Sequence, residues 1–195
     1  MCKKDQICIC TLLVFSVISC QKGQPLCRTP NTHEVGLLKT GDLVFCAGQS
    51  VKSDMVRTAS NRDAVFSHVG FVVRNDDESM MVHMSADTDT IICESFHDYI
   101  CTSNATMLSF YRIPTLTDTG RIQIILDSLL AKRIPFDHHF DFRDSHELYC
   151  TELVVKVTRA IGCDVFKDVG SKRYVYPDDL LHVKGLKFLY TINNI

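Results

Sequence analysis

Two side chains in this sequence could carry out nucleophilic chemistry together, Cys150 and His68. Cys150 opens a segment in which Leu148, Val154, Val155, Val157 and Ile161 recur at helical spacing, and Gly162 stands where a helix would stop. A thiol at a helix N-terminus lies at the positive end of the dipole, beside unpaired N–H groups, and both favour the thiolate. His68 heads the β-branched, apolar run Val69, Gly70, Phe71, Val72, Val73, so its ring is expected at the end of a buried strand. Alone, each residue could be a core cysteine or a core histidine. Together they supply what a thiol nucleophile needs, because an imidazole can take the thiol proton and later return it to a leaving group.

Other polar residues could serve this pair. His83 falls on the next expected strand, and side chains on neighbouring antiparallel strands come within reach of each other. It could hold the second nitrogen of His68 and fix its tautomer, as could Asp87 or Asp89 in the turn that follows. An oxyanion formed at Cys150 would be held by the Cys150 backbone N–H and a second donor, for which Tyr149 and Ser67 are the candidates. Asp137, His138, His139 and Asp141 form the richest group of possible metal ligands. Adjacent histidines on an extended chain point to opposite sides, so this stretch reads as an active-site loop and no metal or organic cofactor is expected. Asp144 and Glu152 read as surface charge.

The elements that must position these residues alternate irregularly, which predicts an α+β fold. Strands are expected over 43–45, 66–73, 79–84, 90–93, 107–113 and 186–192, with 75–77 turning one strand back on the next. Helices are expected over 53–61 with Ser53 as cap, over 119–133, from Cys150 onward and over 177–181, with a single turn at 96–100. In the 119–133 helix, Ile122, Ile125, Leu126, Leu129 and Leu130 share one side.

The N-terminus is different in kind. Lys3 and Lys4 precede an apolar run over 7–19 that is too short for a permanent membrane span. Val17, Ile18, Ser19 and Cys20 then resemble the bacterial lipobox, which implies diacylation of Cys20 and removal of residues 1–19, with an ordinary signal peptide cut nearby or an uncleaved anchor as the alternatives. Residues 20–32 would be a tether and 33–195 a single domain, exported to the cell envelope and held at the membrane by lipid. Beyond that boundary Cys27, Cys46, Cys93, Cys101, Cys150 and Cys163 remain, without CxxC or metal-ligand spacing. Cys46, Cys93 and Cys163 sit in apolar surroundings and read as small core hydrophobes. A formal net charge of −2 gives no basic footprint, so nucleic acid is not an expected partner. A monomer is expected.

The ordered set GDLVF, SHVGFVV, VHMS, IPFDHHFD and YCTELV resembles the permuted papain-like amidases, circularly permuted relatives of the NlpC cysteine peptidases, and the YiiX-like family in particular. The likeness covers nearly all of residues 37–160, and its histidine-first, cysteine-last order is the mark of that family. It implies a permuted papain-like fold with an antiparallel sheet packed on helices. It also implies Cys150 as nucleophile, His68 as base and His83 as the polar third member, cleaving an amide or ester bond through a thioester. Many YiiX-like proteins carry Glu at or near the third position. His there is closer to the lecithin:retinol acyltransferase-like branch, so acyl transfer or lipid hydrolysis stays open beside hydrolysis of a wall peptide or N-acyl amide. A non-catalytic, surface-binding lipoprotein is the remaining class, and the presence of both Cys150 and His68 speaks against it.

Overall fold

The computed structural model describes residues 35–60, 63–75, 78–143, 146–169, 172–193 and 195. The expected signal segment, Cys20, the tether and Asp144 lie outside the described residues, as do Asp76 and Asp77 of the expected turn. Six strands, β1 (Leu43–Gly48), β2 (His68–Asn75), β3 (Glu78–Ser85), β4 (Thr90–Ser95), β5 (Ala105–Arg112) and β6 (Lys187–Asn193), build one antiparallel sheet. Their spatial order is β4-β3-β2-β1-β5-β6. The helices are α1 (Val51–Ser60), α2 (Phe96–Ser103), α3 (Thr119–Lys132), α4 (Cys150–Ala160) and α5 (Pro177–Leu181), with a 3₁₀ turn at Asp164–Phe166.

Strand alternation divides the core. Leu43, Phe45, Val69, Phe71, Val82 and Met84 face one way and pack with Ile122 and Leu126 of α3 and Leu153, Val154 and Val157 of α4. Val44, Cys46, Val72, Met81, Leu108 and Phe110 face the other way and meet Phe96, Tyr99 and Ile100 of α2. Every residue of central β1 is buried, which is why it reads as a continuous apolar run. The chain enters β1 through Gly41, at φ +95°, and Asp42 grips Arg112 with two 2.6 Å contacts while accepting from the Lys39 N–H at 2.8 Å. That bidentate pair, buried on its carboxylate side, ties the start of β1 to the end of β5.

Three local expectations are corrected. Helix α1 begins at Val51, not Ser53, because Ser50 is its cap and accepts from the Ser53 N–H at 3.1 Å. Helix α2 is a full helix of eight residues rather than one turn. Ser95 caps it by accepting from Asp98 N–H at 3.0 Å, and Asn104 ends it in the left-handed region. Glu152 is not surface charge: it is fully buried, and its Oε2 accepts from the Tyr149 N–H at 3.2 Å in a capping box. Placing an acid in the first turn of α4 satisfies an orphan donor.

Candidate active site

Residue β-geometry brings the histidines together. The β2–β3 register pairs Phe71 with Val82, so His83 lies opposite Gly70 and one diagonal step from His68. A side chain at residue 70 would crowd this corner. A Cβ there would sit 2.6 Å from Met81 Cε, 2.9 Å from the Val82 oxygen and 3.0 Å from His83 Cβ. With glycine in place, His68 Nε2 and His83 Nδ1 are 2.9 Å apart. His83 Nε2 in turn lies 2.7 Å from Glu94 Oε1 on β4. Tyr99 of α2 stacks on His68 with ring centres 5.9 Å apart and meets His83 edge-on at 5.2 Å.

One pair of tautomers satisfies this chain of contacts. A carboxylate can only accept, so His83 Nε2 carries hydrogen toward Glu94. In the tautomer with hydrogen on Nε2 alone, His83 presents a bare Nδ1, which accepts from Nε2–H of His68. The remaining nitrogen of His68, Nδ1, is left with its lone pair, which is the form a base requires. The Met84 carbonyl, 3.2 Å from His83 Nδ1, would gain a donor from that nitrogen only if the ring were protonated.

Cys150 approaches from the other layer. Helix α4 packs on β2, and Cys150 stands at its first position with Tyr149 as cap. Burial pushes the Cys150 thiol up to about 11, although the backbone N–H groups of Val69, Thr151 and Cys150 itself all favour its charged form. The expectation of a thiolate at a helix N-terminus is therefore reversed here: desolvation outweighs dipole and donors. His68 is pulled well below the usual imidazole range, first by burial and then by its neighbour His83. At neutral pH the two are a neutral thiol and a neutral imidazole. No hydrogen bond joins Sγ to the His68 ring, and neither group is among the influences on the other's titration.

One cavity of about 740 Å³ joins these groups, lined by Cys150, His68, His83, Glu94, Tyr99 and Ser67 among others. Ser67 is present, but its N–H and Oγ both face the Cys46 carbonyl, at 2.9 and 3.4 Å. Tyr149 is committed elsewhere. Its N–H serves Glu152 and its hydroxyl oxygen accepts from Val175 N–H at 3.1 Å, while its ring packs among Phe140 and Phe142. The donors gathered at Sγ are instead backbone N–H groups, including that of Val69. Asp87 and Asp89 do not reach the histidine pair: Asp87 pairs with Lys52, and Asp89 accepts from His138 at 2.7 Å. Asp137 is buried and accepts from the N–H groups of His139 and Phe140 at 2.7 and 3.0 Å, which shapes the expected active-site loop. Among the described residues, no group of three or more His, Cys, Asp or Glu side chains is arranged to hold a metal ion.

Glu94 is the residue of this candidate site that sequence reasoning missed. The β3–β4 register pairs His83 with Ile92, so Glu94 follows two residues on, on the same face and one diagonal step away. Its signal was an acid in an otherwise apolar strand (Ile91, Ile92, Cys93), visible once the register is known. Cys46 and Tyr99 were likewise unremarkable in sequence. Cys46 pairs with His68 across β1 and β2 and is hydrogen-bonded to Tyr99, with its thiol pushed up to about 12 by burial.

No family model and no curated protein matches the chain. A search of solved structures finds a crystal structure of the metalloprotein YiiX from Escherichia coli O157:H7 at a TM-score of 0.62. It is 15% identical in sequence, and the match covers 79% of this chain and 97% of that one. The two chains share a fold. With so few identical residues the likeness to YiiX speaks for architecture, and the site must be judged on its own side chains.

Proposed function

We propose that this protein is a cell-envelope cysteine hydrolase with a circularly permuted papain-like fold, cleaving an amide bond through a thioester on Cys150. The observation that carries this reading is the relay Glu94–His83–His68 in the wall of the cavity that Cys150 also lines. His68 takes the Cys150 proton as Sγ attacks the carbonyl carbon, so the charge separation forms only as the bond does. Backbone N–H groups at the start of α4 and at Val69 are the donors at hand for the oxyanion. The amide C–N bond breaks, the amine leaves with the proton from His68, and water hydrolyses the thioester.

Export is supported by the charged and apolar N-terminal run ending at Cys20 and by Cys101, which is disulfide-bonded. Among the described residues no helix is long and apolar enough to cross a membrane; the attachment proposed is lipid at Cys20. Incubating the protein with wall-peptide fragments and with N-acyl amides tests the reading. Amine release by the wild type and its loss in Cys150→Ala supports it; equal release by Cys150→Ala overturns it. Transfer to an added amine or alcohol in place of water would identify the acyltransferase variant of the same half-reaction.

A further inference from the structure

Helix α1 is amphipathic in sequence yet buries none of its residues. Val51, Met55 and Ala59 follow one another at four-residue spacing, and with Val56 they line the cavity that contains Cys150. Val51 is 77% exposed and Met55 66% exposed. Phe140 and Tyr174 line the same cavity and are also exposed. Thus four of the eight exposed large hydrophobic side chains among the described residues gather at one opening. A gathering of this kind marks a binding surface, whereas scattered apolar residues do not.

The charges on the wall have partners within the protein. Lys52 is paired with Asp87, Glu94 with His83, and His138 with Asp89. The ionisable side chains that remain on the lining are Cys150, His68, His139 and the phenols of Tyr99, Tyr174 and Tyr176. Neither an unpaired ammonium nor an unpaired carboxylate among these residues is offered to a substrate that carries both, as a wall peptide does.

We propose that the substrate of this site carries a long apolar acyl chain, seated between α1 and the Phe136–Phe140 side of the cavity, with its carbonyl carbon at Cys150. The inference rests on the thiol chemistry above and names its substrate class. Sγ bonds to the fatty acyl carbon, the bond from that carbon to the amine breaks, His68 passes the thiol proton to the departing amine, and water restores the thiol. A cavity of about 740 Å³ lies within the size range of pockets that enclose a small apolar ligand.

Two measurements on the full chain test this and separate it from the chemistry. In the first, Cys150→Ala is titrated with cis-parinaric acid, a fluorescent fatty acid. Saturable binding is expected, weakened at least tenfold when Met55→Asp is added on the exposed face of α1. Absent binding, or binding that Met55→Asp leaves unchanged, overturns the proposal. In the second, acylation of wild-type Cys150 is compared for p-nitrophenyl acetate, octanoate and laurate and for a muramyl peptide, each below its aggregation concentration. A rise in kcat/KM of a hundredfold or more from acetyl to lauroyl is expected. Acylation without chain-length dependence, or preference for the muramyl peptide, overturns the acyl-chain proposal and leaves the thiol reading standing. Parinarate binding with no acylation by any ester would do the reverse.

Discussion

Three backbone N–H groups converge on Cys150, yet burial holds its thiol near 11, so in the proposed mechanism the thiol would depend on His68 for activation. His68 in turn stays neutral to well below pH 6.5. The acidic limb of kcat/KM should therefore fall at a midpoint below 6.5, since the base is lost only when that ring is protonated. A midpoint at 7 or above would show that a different group is titrating. Removing the base in His68→Ala should lower acylation by about 10²–10⁴. Glu94 acts through His83 as a positioning residue, so its variants should divide. Glu94→Gln keeps a carbonyl that can accept from His83 Nε2–H and should lose little. Glu94→Ala strands a buried donor, worth ~1–3 kcal/mol, and lets both rings swap tautomers, a loss of roughly ten- to a hundredfold. Equal rates for the two variants, read by single-turnover acylation across pH, would remove Glu94 from the relay.

At the scale of the element, the site is made by strand register. Gly70 gives His83 the room to lean toward His68, and a methyl group there would press on the Val82 backbone as well as on His83. Gly70→Ala should therefore reduce acylation more severely than it lowers Tm, because the shift falls on the His68–His83 contact. A variant with wild-type kinetics would contradict this. The periodicities of β2, β3, α3 and α4, and with them Cys150, His68 and His83, were readable from sequence because each lies in a strongly patterned segment. Glu94 was not, since its meaning depends on pairing between β3 and β4. Glu152 was misread as surface charge because capping at a buried helix start leaves the same acidic letter as an exposed turn. The cavity wall formed by α1 was also illegible: its apolar stripe is one that elsewhere would face a core.

Across the whole molecule, Glu152 couples the site to stability. Its carboxyl is pushed up to about 7, chiefly by burial, from an ordinary value of 4.5. Between those values the folded protein binds a proton that the unfolded chain releases, so this group makes stability fall as pH rises from about 4.5 to about 7. Lys156 Nζ, 3.4 Å from Glu152 Oε1, offsets only part of the cost of burial. Glu152→Gln retains an oxygen for the Tyr149 N–H and should flatten the dependence. Thermal unfolding at pH 5 and pH 8 should show a larger drop in Tm for the wild type than for the variant, and parallel curves would remove Glu152 as the cause. The Asp42–Arg112 clamp ties the start of β1 to the end of β5.

The most direct test of the thiol mechanism is acid-quenched mass spectrometry after a short exposure to a p-nitrophenyl ester. The wild type should carry one acyl group, mapped to Cys150 and released by hydroxylamine, and His68→Ala should carry it at least a hundredfold more slowly. An acyl group on another residue, or equal acylation of Cys150 in His68→Ala, would contradict the account.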